Sequence, residues 1–120
     1  MTMLFLEYPR CSTCRKAKAW LDAHGVAYVD RDIVEDAPSA EELAAWQQAS
    51  GLATRRFFNT SGRLYRELNV KARLDAGMDD AEAIALLATD GMLVKRPLLV
   101  GEGFVLVGFK EADWEKALLG

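Results

Sequence analysis

The fold of this chain follows from one short turn, Pro9-Arg10-Cys11-Ser12-Thr13-Cys14-Arg15-Lys16. Before it, residues 3–8 form a short apolar run that predicts a buried strand, and after it residues 12–24 have the apolar spacing of a helix. Gly25 predicts the end of that helix, and residues 26–33 predict a second strand. A strand, a helix and a strand in this order predict a βαβ unit with a right-handed crossover.

The rest of the chain predicts further helices, a hairpin and a last helix. Ser39 opens a capping-box pattern, Gly51 and Gly91 are predicted to end helices, and Asp79 or Asp80 is predicted to cap one. The predicted elements are helices ending at residue 49 and over 64–68 and 81–88, strands over 98–100 and 104–107, and a helix over 111–119. We therefore expect one α/β domain over residues 1–120, with a mixed sheet covered by helices in the order βαβ, helices, ββα.

Composition excludes several classes of protein. The chain has 120 residues, is 51% apolar and carries a formal charge of -3, which argues against broad electrostatic binding to nucleic acid or to an anionic membrane. No apolar run approaches the ~20 residues of a membrane span, and the N-terminal residues lack the pattern of a signal peptide. Two cysteines three positions apart do not make a structural disulfide scaffold. We expect a cytoplasmic protein.

A cysteine stands where the first strand ends and the first helix begins. Cys11 there faces free backbone N–H groups and the positive end of the helix macrodipole, both of which favour the thiolate. Arg10, Arg15 and Lys16 add positive charge, and such surroundings bring a cysteine pKa from about 8.5 down to ~3.5–7.5. Cys14 lies one helical turn on, where it can form a disulfide with Cys11 and release a captured group. We interpret Cys11 as the nucleophile and Cys14 as the resolving thiol.

Two other interpretations of the cysteines stay open. Cys14 faces inward by helical period and can be a small core residue only. A zinc site needs about four ligands, whereas the chain offers two cysteines and one histidine, His24. Because a cytosolic Cys-x-x-Cys beside a βαβ unit is typical of redox proteins, we expect no metal and no tightly bound cofactor, with glutathione as a candidate co-substrate.

A second part of the site is predicted at Lys95-Arg96-Pro97, immediately before a strand. Proline is tolerated at the start of a strand, and the bond before it can be cis. In a redox fold this loop faces the cysteine turn, so Arg96 is a candidate for holding an oxyanion, a carboxylate or the Cys11 thiolate. The alternative is an arginine that faces solvent. Arg55-Arg56-Phe57-Phe58 is a weaker anion-binding candidate, since its aromatic residues fit a core and its arginines a solvated edge.

Several stretches together resemble the arsenate reductase-like (ArsC) family, which includes the Spx/MgsR redox regulators. They are Tyr8-Pro9-x-Cys11-Ser12-Thr13-Cys14-Arg15-Lys16-Ala17, Phe57-Phe58-Asn59-Thr60-Ser61-Gly62-x-x-Tyr65, Asp90-Gly91-Met92-Leu93-Val94-Lys95-Arg96-Pro97 and Val107-Gly108-Phe109. The resemblance implies a thioredoxin-like mixed sheet with a helical insertion between its two halves. It also implies that Cys11 is the redox cysteine and that Pro97 is the cis proline of that fold.

The resemblance further implies a site of three arginines in the members that reduce arsenate. Arg96 matches one of them, Asn59 stands where the second is expected, and the third position falls near Phe109-Lys110. Losing two cations weakens the binding of a dianion, since charge-assisted hydrogen bonds are each worth ~1.5–3 kcal/mol. We therefore do not expect genuine arsenate reduction. The candidate substrate-binding residues are Arg15, Asn59, Arg96 and Pro97.

Three functions follow as alternatives, and we favour the first. It is a thiol-dependent reductase supplied with electrons by glutathione or by a glutaredoxin- or thioredoxin-type donor. The second, implied by the Spx/MgsR branch, is a redox-sensing transcriptional regulator that binds RNA polymerase and does not bind nucleic acid directly. Gly51 lies near the position of a glycine in the polymerase contact region of that branch, although it also fits a helix C-cap. The third is a binding module with vestigial thiols.

Overall fold

The structure of the protein is a computed structural model that describes residues 2–120. Within those residues the chain forms four strands and six α-helices. In chain order they are β1 (Met3–Glu7), α1 (Ser12–Ala23), β2 (Tyr28–Asp32), α2 (Ala40–Ser50), α3 (Arg63–Glu67), α4 (Val70–Asp75), α5 (Asp80–Leu87), β3 (Leu98–Gly101), β4 (Phe104–Val107) and α6 (Glu111–Leu118). Two short 3-10 helices, Thr54–Phe57 and Gly91–Leu93, lie in the connections.

The strands form one mixed sheet in the order β2-β1-β3-β4. β1 runs parallel to β2 and antiparallel to β3, and β3 pairs antiparallel with β4. The helix α1 connects the parallel pair as the predicted βαβ unit, while β3, β4 and α6 form the second half. The predicted mixed sheet of pattern βαβ…ββα, with helices α2 to α5 between its halves, is therefore confirmed.

The core lies on both faces of the sheet because side chains alternate along each strand. Phe5 and Leu99 face α1 and α6 on one side, where they pack with Leu21 and Trp114. Alternate strand residues, among them Leu6, face the inserted helices on the other side. This two-sided packing fixes the ends of β1 and β3, which carry the cysteine turn and the Arg96 loop.

Local signals in the sequence account for the ends of α2. Ser39 Oγ accepts a hydrogen bond from the Glu42 N–H (3.1 Å), and Glu42 Oε1 accepts one from the Ser39 N–H (3.1 Å). This is the predicted capping box. Gly51 ends α2 in a left-handed conformation with φ 69°, which glycine adopts without strain.

Two local features differ from the prediction. Gly91 does not end a helix, because α5 stops at Leu87 and Gly91 begins a 3-10 helix. A side chain at Gly91 would collide with the main-chain carbonyl of Ile33, so close backbone approach requires glycine there. The helix α4 was not predicted; it follows Asn69, which has φ 54° and separates it from α3.

None of the helices formed by residues 2–120 has both the length and the apolar character that a membrane crossing requires.

Candidate active site

The turn between β1 and α1 places Cys11 at the N-cap of the helix. Its backbone is extended (φ -84°, ψ 119°), and its Sγ accepts a hydrogen bond from the Cys14 N–H at 3.4 Å. The Cys11 N–H in turn donates to the Tyr8 carbonyl at 2.9 Å. The sulfur therefore occupies the position that a Ser, Thr or Asp oxygen takes in an ordinary N-cap, and the side chain is half-buried.

These contacts decide the ionisation of Cys11. Partial burial alone would raise the pKa of its thiol. Three donors lower it, namely the Cys14 N–H, the Thr13 N–H and the Cys14 side chain, and the nearby charge of Arg96 lowers it further. Together these four contributions outweigh burial, so the pKa of Cys11 lies below its ordinary value. The prediction of a thiolate-favouring position agrees with this direction, but the charge that contributes is that of Arg96 and not that of Arg10, Arg15 or Lys16.

Cys14 has the opposite surroundings. Its side chain is fully buried, and burial, with the neighbouring Cys11, raises the pKa of its thiol to about 12, against a lowering by the Tyr8 backbone and Arg96. Both cysteines are reduced in this structure. The turn thus pairs one accessible sulfur that ionises readily with one buried sulfur that does not.

Arg96 lies beside the cysteine turn, as the loop before β3 was expected to be. Its guanidinium carbon is 5.3 Å from the centroid of the Tyr8 ring, and its Nη1 donates to the Met92 carbonyl at 3.3 Å. The Arg96–Pro97 peptide bond is cis, and the Pro97 carbonyl accepts from the Gly108 N–H at 2.8 Å. Pro97 is itself buried, so it shapes the loop beneath Arg96.

A cleft of about 680 Å³ opens over Cys11 and Arg96. It is lined by Cys11, Thr13, Arg55, Arg56, Phe58, Asn59, Thr60, Ser61, Gly62, Lys95, Arg96, Val107, Gly108, Phe109 and Lys110. Five of these residues are Arg or Lys, and no Asp or Glu lines the cleft. A nucleophilic sulfur in a cationic cleft favours electrophiles that carry carboxylates or other anionic groups.

The five cations are held differently. Arg55 forms an ion pair with Asp75 at 3.0 Å on the rim. Arg56, Lys95 and Lys110 form no ion pair within residues 2–120. Three cations are therefore available to a ligand in addition to Arg96, which stays bound to main-chain carbonyls.

The structure places two of the four predicted substrate-binding residues, Asn59 and Arg96, in the cleft and leaves Arg15 and the buried Pro97 outside its lining. Asn59 lines the cleft, and its Oδ1 accepts from the Ser61 hydroxyl at 3.2 Å. Arg15 is exposed, donates to the Pro9 carbonyl at 3.2 Å and does not line the cleft. Lys110 lies in the region where the resemblance implies an arginine.

Sequence reasoning missed Lys95 and Lys110 and gave Arg55 and Arg56 little weight. Lys95 has a local signal, since it adjoins the Arg96-Pro97 step. Arg55, Arg56 and Lys110 come from segments that are far apart in the chain and meet only in the folded protein. Phe57 and Phe58 are buried in the core, as predicted.

The zinc alternative finds no support in this geometry. Cys11 and His24 are the N-cap and C-cap of α1, so they lie at opposite ends of a twelve-residue helix, roughly 18 Å long. Within residues 2–120, no three His, Cys, Asp or Glu side chains are grouped so that they could hold a metal ion.

A buried carboxyl outside the cleft also escaped the sequence analysis. Glu7 ends β1 with 4% of its surface exposed, and Lys18 Nζ lies 3.4 Å from its Oε2. Lys18 also binds Asp30 at 2.7 Å. Burial, then the hydrogen bond and repulsion of Asp30, raises the pKa of Glu7 to about 7 against the opposing effect of Lys18. A glutamate at the end of a strand gives no sequence signal that its carboxyl is buried and its pKa raised.

Comparison with known proteins agrees with this fold. Residues 6–117 match the model of the ArsC family. The chain is 51% identical over 116 residues to the uncharacterized protein YusI of Bacillus subtilis, covering 97% of this chain and 98% of YusI. An ArsC family related protein from Bacteroides fragilis has a crystal structure that matches with a TM-score of 0.93 at 57% identity, covering 97% of both chains. The global transcriptional regulator Spx of Bacillus subtilis is 27% identical over 110 residues, covering 92% of this chain and 82% of Spx. The predicted thioredoxin-like fold and family resemblance are thus confirmed, and the chain belongs to the ArsC family.

Proposed function

We propose that the protein is a thiol-dependent reductase that acts by thiol–disulfide exchange. The observation that carries the proposal is the half-buried Cys11 sulfur, which is hydrogen-bonded at a helix N-terminus and opens into a cationic cleft. The Cys11 thiolate attacks one sulfur of a substrate disulfide, forms a mixed disulfide with it, and the electron pair of the broken bond leaves on the other sulfur as a thiolate. No metal or organic cofactor takes part in this step.

Cys14 completes the cycle in this proposal. In the resting turn the Cys11 side chain and its charge contribute to the raised pKa of Cys14. A mixed disulfide on Cys11 removes that charge, so Cys14 loses its proton more readily once substrate is attached. Its thiolate then attacks the Cys11 sulfur, releases the substrate thiolate and leaves a Cys11–Cys14 disulfide. An external thiol reduces this disulfide at the expense of its own oxidation.

Glutathione, or a glutaredoxin- or thioredoxin-type protein, is the donor that we propose. Glutathione carries two carboxylates, and Arg56, Lys95 and Lys110 line the cleft without an ion pair of their own within residues 2–120. Charge-assisted hydrogen bonds from these side chains suit such a ligand. A reduced Cys11–Cys14 pair fits the cytoplasm, where thiols are kept reduced. Arsenate reduction is not part of the proposal, because Asn59 stands where one arginine is implied and Lys110, near the position of the other, has a charge but not the planar donor fork of arginine.

The test compares Cys11→Ser with Cys14→Ser in reduced protein mixed with glutathione disulfide. We expect Cys11→Ser to form no adduct. Cys14→Ser should accumulate one glutathione on Cys11, visible by mass spectrometry, because no resolving thiol is left. Ser12→Ala, an exposed neighbour in the same turn, is the control and should react as the native protein does. An adduct that forms equally fast in Cys11→Ser would contradict the proposal.

A redox-sensing transcriptional regulator that binds RNA polymerase is the second candidate function, and the similarity to Spx favours it. In this case the Cys11–Cys14 disulfide would act as the sensor. Gly51 adds little support, because its exposed left-handed C-cap is enough to explain a glycine. A pull-down with purified polymerase, run on the reduced and the oxidised protein, separates the two functions. Binding in neither state would contradict the regulator.

A further inference from the structure

The free edge of β4 offers unused main-chain hydrogen-bonding groups. The Gly108 N–H donates to the Pro97 carbonyl at 2.8 Å, and the register pairs Val107 with Leu98 and Val105 with Val100. Hydrogen-bonded pairs alternate along an antiparallel ladder, so Val105 and Val107 direct their N–H and C=O groups away from β3. Within residues 2–120 no main-chain hydrogen bond joins these groups to a loop or a turn, and Val107 is partly exposed whereas Val105 is buried.

A second cavity of about 210 Å³ lies over this edge and joins the cleft of Cys11. Leu106 and Trp114 line it from one face of the sheet, and Leu52 and Val105 line it from the other. Residues from both faces can line one cavity only if it passes over the edge of the strand. The two cavities share Arg56, Val107, Gly108 and Lys110, so the second cavity adjoins the cleft of Cys11 at the Val107 end of β4.

The strand at the opposite edge of the sheet, β2, has charged side chains that protect it against pairing with another chain. β2 includes three charged residues in five, Asp30-Arg31-Asp32, and charged side chains on an edge strand discourage pairing with another chain. β4 reads Phe104-Val105-Leu106-Val107 and has no charged residue. Its cavity is bordered by Arg56 and Lys110 with Asp113 as the one carboxylate, so the charge there favours an acidic strand.

We infer that a partner polypeptide binds in extended form along β4. A cysteine of this partner, joined in a disulfide, lies at Cys11, and acidic residues flank that cysteine. This inference rests on the proposed function and names its substrate class. An added strand takes up the free groups of Val105 and Val107.

The experiment uses peptides of about nine residues, which exceed the length of β4, with a central cysteine held as a mixed disulfide with thionitrobenzoate. The Cys11 sulfur bonds to the peptide sulfur, the peptide sulfur–thionitrobenzoate bond breaks, and thionitrobenzoate leaves with the electron pair as a coloured thiolate. One peptide has two glutamates on each side of the cysteine and another has two lysines. Each rate with the native protein is divided by the rate with free cysteine, which removes differences in intrinsic reactivity.

We expect the glutamate peptide to react about tenfold faster than the lysine peptide, from two or more favourable charge pairs. Main-chain N-methylation at alternate residues of the glutamate peptide should reduce its rate to that of the mixed disulfide of glutathione and thionitrobenzoate. Lys110→Glu should reverse the preference between the peptides. Lys116→Glu, on α6 but outside both cavities, is the matched control and should not.

Three outcomes would overturn the inference. Equal normalised rates for all peptides, with or without N-methylation, would show that β4 binds no strand while the proposed function still holds. A dimer whose formation slows the glutamate peptide would show that a second copy occupies the edge. A failure of every disulfide to react, including that of glutathione, would contradict the proposed function itself and the inference with it.

Discussion

Glu7→Gln is expected to stabilise the protein at about pH 8 and to stabilise it much less at about pH 5. The Glu7 carboxyl is almost completely buried at the end of β1. Burial, followed by the hydrogen bond and repulsion of Asp30, raises its pKa from an ordinary 4.5 to about 7, and Lys18 offsets only part of this rise. At neutral pH and above, folding therefore keeps a poorly solvated charge beside a second carboxylate.

The size of the effect follows from proton linkage. Because the pKa of Glu7 is higher in the folded chain, its contribution to stability is fully present below pH 4.5 and is lost as the pH rises through 7. One pKa unit corresponds to about 1.4 kcal/mol, so the rise from 4.5 to about 7 makes the whole effect about 3.5 kcal/mol. About 2.5 kcal/mol of it falls between pH 5 and pH 8. Glutamine does not titrate, and its amide donates to Asp30 as protonated Glu7 does.

Urea unfolding followed by tryptophan fluorescence measures the unfolding free energy of both proteins across this pH range. The advantage of Glu7→Gln over the native protein should grow by about 2.5 kcal/mol from pH 5 to pH 8. Asp30 does not disturb this comparison, because its pKa lies below its ordinary value of 3.8. Glu115→Gln, at an exposed site on α6, should give a constant difference. A constant difference for Glu7→Gln as well would refute the reasoning.

Two further predictions concern the cysteine turn and Gly91. In the folded, reduced protein at about pH 8, iodoacetamide should modify Cys11 alone, because burial holds the pKa of Cys14 at about 12. Mass spectrometry should show one adduct per chain before unfolding and two after it. Two adducts on the folded chain would contradict this expectation. Gly91→Ala should lower the unfolding free energy by more than about 3 kcal/mol, because the added methyl group collides with the Ile33 carbonyl. Gly25→Ala is the control: the added methyl group has open space around it and the only unfavourable feature is the φ of 67°. It should lower the unfolding free energy by about 1 kcal/mol in the same urea titration. Equal losses in the two variants would argue against the collision.

The parts of the fold that sequence predicted are those with signals close together in the chain. Ser39 and Glu42 are three residues apart, so one capping box reveals the start of α2. The cysteine turn lies between an apolar run and a helical pattern, which fixes Cys11 at the N-cap before any tertiary contact is known. By contrast, α4 has only six residues and no side-chain cap, and such a short helix depends on packing more than on propensity.

The cationic character of the cleft could not be predicted in the same way. Arg55, Lys95 and Lys110 come from the inserted helical region, the loop before β3 and the residue before α6. Each of them reads as an ordinary surface cation when only its neighbours in the chain are considered. Their shared role depends on how the insertion packs against the sheet, which is a long-range contact. Arg96 is the exception, since the proline that follows it marks the loop that faces the cysteine turn.

The different roles of the two cysteines, Cys11 as nucleophile and Cys14 as resolving thiol, follow from their three-residue spacing. At an N-cap, the side chain of the first residue accepts from the N–H of the residue three positions on, so the Cys14 backbone stabilises the Cys11 sulfur whatever its own side chain is. The same spacing turns the Cys14 side chain into the core, where burial keeps it protonated. Cys14→Ser therefore removes the resolving sulfur while it keeps the main-chain hydrogen bond and puts a hydroxyl donor in place of the thiol that also donates to the Cys11 sulfur. A trapped adduct in that variant reports resolution and not a weakened nucleophile.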